Sequence, residues 1–216
     1  MVASLGPPSR PVLSPSRGEF SPEETMPKVA ARALDARDES LSAATMAIGA
    51  VGFAVALAIA AQLRIPLPFT PVPITLQTFA LYLGGAWLGM RVAIPGLALY
   101  VGVALLGAPV LSGMRGGLAA FTGATGGYIL GWFVAVLIVS RLLDGRATTM
   151  GRAALSMMAG SAVILTCGAL HLAMLLELDL AQAFLLGVAP FIPGDIVKTL
   201  TASAIVRRWP NPTSIR

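Results

Sequence analysis

The apolar residues of this chain form long, nearly uncharged segments separated by short breaks. The first segment, residues 41–63, contains no charged residue. Five further apolar segments follow, at 74–89, 91–107, 125–143, 151–176 and 180–208. A helix needs roughly 20 residues to cross a bilayer, and most of these segments approach that length. The pattern predicts an all-α integral membrane protein with six transmembrane helices.

Proline and glycine mark the breaks between the segments. Residues 64–73, RIPLPFTPVP, contain four prolines, and each removes a backbone donor, so no helix is expected there. A Gly-rich loop covers 108–127, and Pro190 and Pro193 interrupt the last segment before a final helix at about 194–208. Non-helical backbone at membrane depth is tolerated where it lines a cavity or is buried in protein. The break at Pro190 therefore predicts a pocket.

The ends of the chain differ from the apolar centre. Residues 1–40 hold six of the 16 prolines and six of the ten acidic residues. We predict a disordered cytoplasmic tail over 1–40, a membrane domain over 41–208 and a short cytoplasmic tail over 209–216. Met26 is an alternative candidate for the start codon.

The basic residues indicate the orientation in the membrane. Of the 15 Lys and Arg, twelve fall on one side of the six predicted spans and two, Arg64 and Arg115, on the other, while Lys198 lies inside the last helix. Positive residues favour the cytoplasmic side, so we expect a multi-pass cell-membrane protein with both termini cytoplasmic. The net charge of +5 then comes from residues at the ends of the spans, next to membrane lipid. We therefore expect membrane lipid and no nucleic acid among the partners.

Composition limits the chemistry available. Only 12% of residues are charged, mean hydropathy is +0.81, and there is one Cys and one His. A single Cys excludes an internal disulfide, and no metal site of several His or Cys ligands can be built. Cys167 and His171 are one helical turn apart, and a packing role is the simpler interpretation. We expect no cofactor, no metal and no enzymatic activity.

Charges at membrane depth are the strongest candidates for a binding site. Asp195 and Lys198 share one face of the final helix, directly after the proline break. Ionisable residues inside spans usually mark functional sites. The alternative is a mutually neutralised pair that only fixes helix packing.

Other candidates lie in the loops and in neighbouring spans. The Pro-rich segment 64–73, which includes Phe69, could close over a pocket as a lid and carry Thr75 and Gln77 to a ligand, or it could be an ordinary connector. Arg115, among glycines, suits a carboxylate or is a solvated loop residue. Tyr100 and Tyr128 are hydroxyl-bearing candidates, or aromatic anchors at the membrane interface.

The first apolar helix carries a stripe of small residues. Its members are spaced by three or four positions and share a face: Ala43, Ala47, Ala50, Ala54 and Ala58. Small side chains allow close helix approach in lipid. The stripe is either a docking face for another membrane subunit or an internal packing face.

Four strings carry a family resemblance. They are PVPITLQTFALYLGGAWLG (71–89), LYVGVALLGAPVLSG (99–113), GGLAAFTGATGGYILG (116–131) and PFIPGDIVK (190–198). In this order they resemble the BioY family, the biotin-binding membrane subunits, or S components, of energy-coupling factor (ECF) transporters. The resemblance covers most of the membrane domain.

The resemblance implies a six-helix S-component bundle that captures biotin with high affinity from outside. It implies as partners a transmembrane coupling subunit, docked through an Ala-x-x-x-Ala pattern on the first helix, and two cytoplasmic ATPases. The ureido ring and carboxylate of biotin would meet residues among Asp195, Lys198, Gln77 and Arg115, in an assignment left open. The alternative is a stand-alone biotin transporter that works without the energising module.

Overall fold

The computed structural model of this protein describes residues 22–143 and 149–209, with side chains described from Ser42 onward. Its elements in chain order are α1 (Pro22–Gln62), β1 (Arg64–Ile65), β2 (Ile74–Thr75), α2 (Gln77–Leu88), α3 (Met90–Leu105), α4 (Leu118–Thr122), α5 (Gly126–Leu143), α6 (Met150–Leu176), α7 (Leu180–Gly187) and α8 (Ile192–Arg208). Helices dominate these ranges, which confirms the all-α class.

The first helix begins earlier than the apolar pattern predicts. It starts at Pro22 rather than at Leu41, and only its part from Ser42 to Gln62 has the length and hydropathy of a membrane span. Residues 22–40 are rich in Ala, Glu and Arg, which have high helix propensity. The tail 1–40 was predicted to be disordered; residues 1–21, like the predicted tail after Trp209, lie outside the described residues.

Three helices in the described ranges can cross a membrane on length and composition. They are the α1 segment from Ser42, α5 and α6, and the bent pair of α7 and α8 forms a fourth candidate. The 16 residues of α3 and the 12 of α2 reach only about 24 and 18 Å, short of a hydrocarbon core of about 30 Å. The count of six spans stays a prediction.

The membrane unit is built around α5 and α6, which pack along each other. A side chain at Gly131 of α5 would approach the Cα of Ile164 in α6 to 2.8 Å, so the absence of a side chain permits this contact. Helix α6 also contacts α7 and α8, while α2 packs on α5 and α8. Close backbone approach of this kind stabilises helix pairs in lipid, where apolar burial contributes little.

Two connections shape one end of the unit. Strands β1 and β2 pair antiparallel, with Arg64 opposite Thr75, so the Pro-rich segment between them is a closed hairpin. The loop after α3 is tied to the end of α1 by Gln62, whose Nε2 donates to the carbonyl of Leu111 at 3.2 Å and whose Oε1 accepts from the backbone N–H of Met114 at 3.3 Å. The site lies beneath these two connections.

Candidate functional site

The break between α7 and α8 delivers Asp195 to the interior. The two helices meet at a 50° bend, and α8 begins at Ile192 with Pro193 in its first turn, where a missing N–H is harmless. Asp195 lies in the same first turn, where the helix dipole favours a negative charge. The proline break predicted from the sequence thus sets both the direction of α8 and the position of its acid.

Asp195 and Lys198 form a buried ion pair. Lys198 Nζ lies 2.8 Å from Oδ1 of Asp195, and the side chains are 11% and 8% exposed respectively. The other carboxylate oxygen, Oδ2, accepts a short hydrogen bond from Ser161 of α6. A buried pair stabilises a fold only if its remaining donors and acceptors are satisfied. Here both carboxylate oxygens have a partner.

Lys198 links α8 to the start of α2. Its ammonium donates to Thr78 Oγ1 at 2.8 Å and to the carbonyl of Thr75 at 3.3 Å. Together with Asp195 these partners use the three donors of the ammonium. The Tyr82 hydroxyl lies next to this cluster, close to Ser161 and the Asp195 carboxylate, and has no hydrogen-bond partner of normal geometry in the described ranges.

Gln77 is held by a chain of hydrogen bonds from α3. It is 3% exposed, and its Nε2 donates to the Tyr100 hydroxyl at 2.8 Å. Tyr100 donates in turn to the carbonyl of Val110 at 2.9 Å. No described residue bonds Oε1 of Gln77, so the amide offers that acceptor to the space beside it.

A cavity lies between these groups. Its polar lining comes from residues of four different parts of the chain: Thr75, Gln77, Thr78, Ser112, Arg115, Thr125, Asp195 and Lys198. Aromatic side chains, Trp132, Tyr128 and Phe191, and several aliphatic ones complete the wall. A mostly apolar wall with a few convergent polar groups is typical of small-molecule sites.

Six of the eight residues predicted for the site line this cavity. Asp195, Lys198, Gln77, Thr75 and Arg115 contribute polar groups, and Tyr128 contributes its ring. The Tyr128 hydroxyl faces away and donates to the carbonyl of Gly187 at 2.7 Å, which anchors the end of α7.

Two predicted residues lie elsewhere. Tyr100 is buried behind Gln77 and does not line the cavity, because its hydroxyl is used for the Gln77 amide and the Val110 carbonyl. Phe69 is 58% exposed at the outer side of the hairpin, so only Val72 and Pro73, on the returning arm, cover the cavity. The sequence predicts a direct ligand contact for both residues, and neither lines the cavity in the described structure.

Several residues of the site are not predicted from the sequence. Thr78 and Ser161 hold the ion pair, and Trp132 and Phe191 form the aromatic wall. Thr78 directly follows Gln77, and Phe191 lies inside the proline break, so proximity to singled-out residues could have indicated them. Nothing local distinguishes Ser161 from the other hydroxyl residues of α6.

The structure corrects the small-residue stripe of α1. Ala50 and Ala54 are each 9% exposed, and a side chain at Gly96 of α3 would come within 2.7 Å of the Ala50 carbonyl. Ala58 is half-buried against the core. The part of the stripe from Ala50 to Ala58 therefore packs inside this chain, and of its five alanines only Ala43 and Ala47 are exposed.

No hydrogen bond joins Cys167 and His171 in the described ranges. His171 Nε2 lies 3.0 Å from the carbonyl of Gly123 and connects α6 to the loop before α5. Cys167 is a free, half-buried thiol. Across the described ranges, no group of three or more His, Cys, Asp or Glu side chains could hold a metal ion.

Comparison with known proteins identifies close relatives. The model of the BioY family matches residues 31–213. The chain is 33% identical over 175 residues to a biotin transporter BioY of Rhizobium etli, covering 77% of this chain and 93% of the relative. It is 35% identical over 175 residues to a probable biotin transporter BioY of Pyrococcus horikoshii, covering 81% and 97%.

The fold also has a solved counterpart. A 2.1 Å crystal structure of the S-component for biotin from an ECF-type ABC transporter superposes with a TM-score of 0.71 at 27% identity. The match covers 77% of this chain and 91% of the solved one. The resemblance drawn from the four sequence strings is confirmed by both the sequence and the fold.

Proposed function

This chain belongs to the BioY family, and from that membership we propose that it is a multi-pass membrane protein that captures biotin as the S component of an ECF-type transporter. One observation carries the proposal. A single cavity joins a buried ion pair, an oriented amide and an arginine along an otherwise apolar wall. Biotin has the same distribution of groups, with a polar ring at one end, an apolar chain and a carboxylate at the other.

The ion pair suits the ureido ring. This ring is neutral and presents N–H donors beside a carbonyl acceptor. Asp195 keeps lone pairs that accept from an N–H, and Lys198, 2.8 Å away, cancels its charge. Lys198 would donate to the ring carbonyl by giving up its longer, 3.3 Å bond to the Thr75 carbonyl. A ligand carboxylate placed here would face Asp195, and like charges in a desolvated site repel strongly. We therefore assign the ureido ring to this end, with Gln77 Oε1 as a further acceptor for an N–H.

Arg115 suits the carboxylate. It lines the same cavity from the loop after α3, and its Nε donates to the carbonyl of Ser112 at 3.1 Å, which orients the guanidinium. No described acid forms an ion pair with it. A guanidinium can bind a carboxylate through two parallel hydrogen bonds, so the valerate end has a free partner here.

Equilibrium binding of biotin and biotin methyl ester to the purified protein tests this orientation. Arg115→Gln should weaken biotin binding by about 10- to 100-fold and leave the uncharged ester little changed. Asp195→Asn should weaken both ligands alike, because both carry the ureido ring. If Arg115→Gln weakened both ligands equally, the assignment of the two ends would be wrong. If the unmodified protein bound neither ligand, the proposed function itself would be wrong.

Transport is proposed to need partners. The sequence contains no G-x-x-x-x-G-K-[ST] motif, so energy from ATP would have to come from two separate ATPase subunits joined through a membrane coupling subunit. The exposed Ala43 and Ala47 favour such docking on α1. Biotin uptake in a transport-deficient host, with and without the module genes, separates this from the stand-alone alternative, in which uptake persists without the module.

The orientation with both termini cytoplasmic is proposed on the basic-residue bias. In a chain with Cys167 replaced, a cysteine introduced at residues 145–150 should react with an impermeant reagent only from the cytoplasmic side. A cysteine at residues 112–114 should react only from outside. Labelling of both positions from the same side would mean that α5 does not cross the membrane and that the count of six spans is wrong.

A further inference from the structure

A second cavity, which we call the entry cavity, adjoins the main one. It lies between the Pro-rich hairpin and the loop after α3. Its lining consists of Arg64, Pro66, Leu67, Thr70, Pro71, Pro73, Gly113 and Arg115. Pro73 and Arg115 line the main cavity as well. The two spaces therefore share a wall, and Arg115 can reach a ligand in either.

The entry cavity is strongly positive. Its charged lining residues are Arg64 and Arg115, and no carboxylate lines it. Among residues 42–143 and 149–209, the carboxylates are Glu177, Asp179 and Asp195, and Asp195 is paired with Lys198. Arg64 is exposed and forms no ion pair with a described residue. Two guanidinium groups thus face one opening without a compensating acid in this part of the chain.

The backbone makes room for Arg64. Gly113 has a positive φ of 77°, and a side chain there would lie 2.4 Å from Nη1 of Arg64. The guanidinium therefore rests on the bare backbone of Gly113. This contact places the exposed Arg64 guanidinium beside Gly113 in the lining of the entry cavity.

The backbone segments that carry the two arginines are linked to each other. Arg64 starts β1, which pairs with β2. Gln62, two residues earlier, donates to the carbonyl of Leu111 and accepts from the backbone N–H of Met114. Arg115 closes that loop by a backbone bridge to Leu111. A positive site built on such cross-linked backbone needs little reorganisation when an anion arrives.

We propose that the entry cavity is a separate anion site that receives the carboxylate of the incoming ligand, with Arg64 as its charged outer residue. The inference rests on the proposed function, and it assigns a role in association rather than in final affinity. Arg64 attracts the carboxylate from solution, and Arg115, which lines both cavities, takes it over as the ring moves inward. Fixed charges at an opening raise association rates and lose their effect as salt is added.

Stopped-flow association of biotin and of uncharged biotin amide with the full chain in detergent tests the proposal. Arg64→Gln should slow biotin association by about 3- to 10-fold at low salt, with a much smaller difference at 0.5 M salt. The dissociation rate should change little. Arg64→Lys should retain most of the rate, and Arg152→Gln, an exposed arginine at the start of α6, is the charge-matched control and should have no effect.

The amide separates this role from a structural one. Its association should be unaffected by Arg64→Gln, since it carries no charge to attract. Equal slowing of biotin and the amide, or a biotin rate in the unmodified protein that does not depend on salt, would overturn the proposal while leaving the proposed function intact. Absence of any biotin binding by the unmodified protein would instead contradict the proposed function.

Discussion

Gln77 and Tyr100 are joined by a 2.8 Å hydrogen bond in which the amide donates to the phenol. The phenol is itself fixed because it donates to the Val110 carbonyl. The amide nitrogen is therefore directed toward α3, and Oε1 is the atom left for the cavity. A glutamine at the edge of a pocket could otherwise present either end of its amide, so Tyr100 determines which chemistry Gln77 offers.

Removal of the Tyr100 hydroxyl should weaken biotin binding, although this hydroxyl does not line the cavity. Tyr100→Phe frees the Gln77 amide to rotate and leaves the Val110 carbonyl without this donor, and we expect a loss of about 1 kcal/mol, or roughly fivefold in affinity. Isothermal titration calorimetry measures this change in biotin affinity. In a Gln77→Ala background the same substitution should add little, and an undiminished effect there would show that Tyr100 acts through packing alone.

The Asp195–Lys198 pair should behave differently in stability and in binding. Lys198→Met leaves a buried carboxylate uncompensated, so we expect a loss of about 3–5 kcal/mol in stability. The double variant Asp195→Asn, Lys198→Met removes both charges and should recover most of that loss. Melting in detergent measures the stability of each protein.

Biotin binding should not recover in that double variant. We expect Lys198→Ala, Lys198→Met and the double variant each to weaken binding by about 2–5 kcal/mol. Wild-type affinity in the double variant would restrict the pair to helix packing, which is the alternative that the sequence left open.

The two halves of the α1 stripe should respond oppositely to a bulky side chain. Ala47→Trp extends from an exposed position, so the protein should fold and bind biotin but fail to assemble with a coupling subunit. Ala54→Trp overfills a core position and should lower the free energy of unfolding by about 1–3 kcal/mol. Co-purification with the coupling subunit measures assembly. Normal assembly of Ala47→Trp would place the docking face elsewhere.

The hairpin should retain the ligand through Thr70. The Thr70 hydroxyl donates to the Leu186 carbonyl at 2.9 Å, which connects the hairpin to α7. Thr70→Val keeps the shape and removes this bond, so biotin should dissociate about 3- to 10-fold faster, in line with a hydrogen bond of about 1 kcal/mol. Association should change less, because a looser cover still admits ligand. Thr201→Val, at an exposed position on α8, is the matched control.

An unchanged off-rate in Thr70→Val would mean that the hairpin is only a connector. Retention would then depend on the ion pair and the aromatic wall. A probe at Phe69 provides a second measurement, since this side chain is exposed on the hairpin and does not line the cavity. Its mobility should fall when biotin binds if the hairpin closes further.

The sequence by itself determined the features that depend on neighbouring residues. Apolar length and the scarcity of charge specify a membrane protein, and four prolines within 64–73 exclude a helix whatever surrounds them. The i, i+3 spacing places Asp195 and Lys198 on one face of any helix that contains both. The proline break before them is equally local. These elements and the pair at their centre are present in the structure as the sequence predicts.

Only the tertiary structure decided which faces meet. Along the part of α1 from Ser42 to Gln62 nearly every residue is apolar, and lipid is as apolar as the protein core. Periodicity therefore does not distinguish Ala54, which is buried, from Ala47, which is exposed. Tyr100 lies behind Gln77, and Ser161 reaches Asp195, through contacts across 23 and 34 residues of chain. Such contacts depend on how α2, α3, α6 and α8 cross, and local sequence does not encode that arrangement.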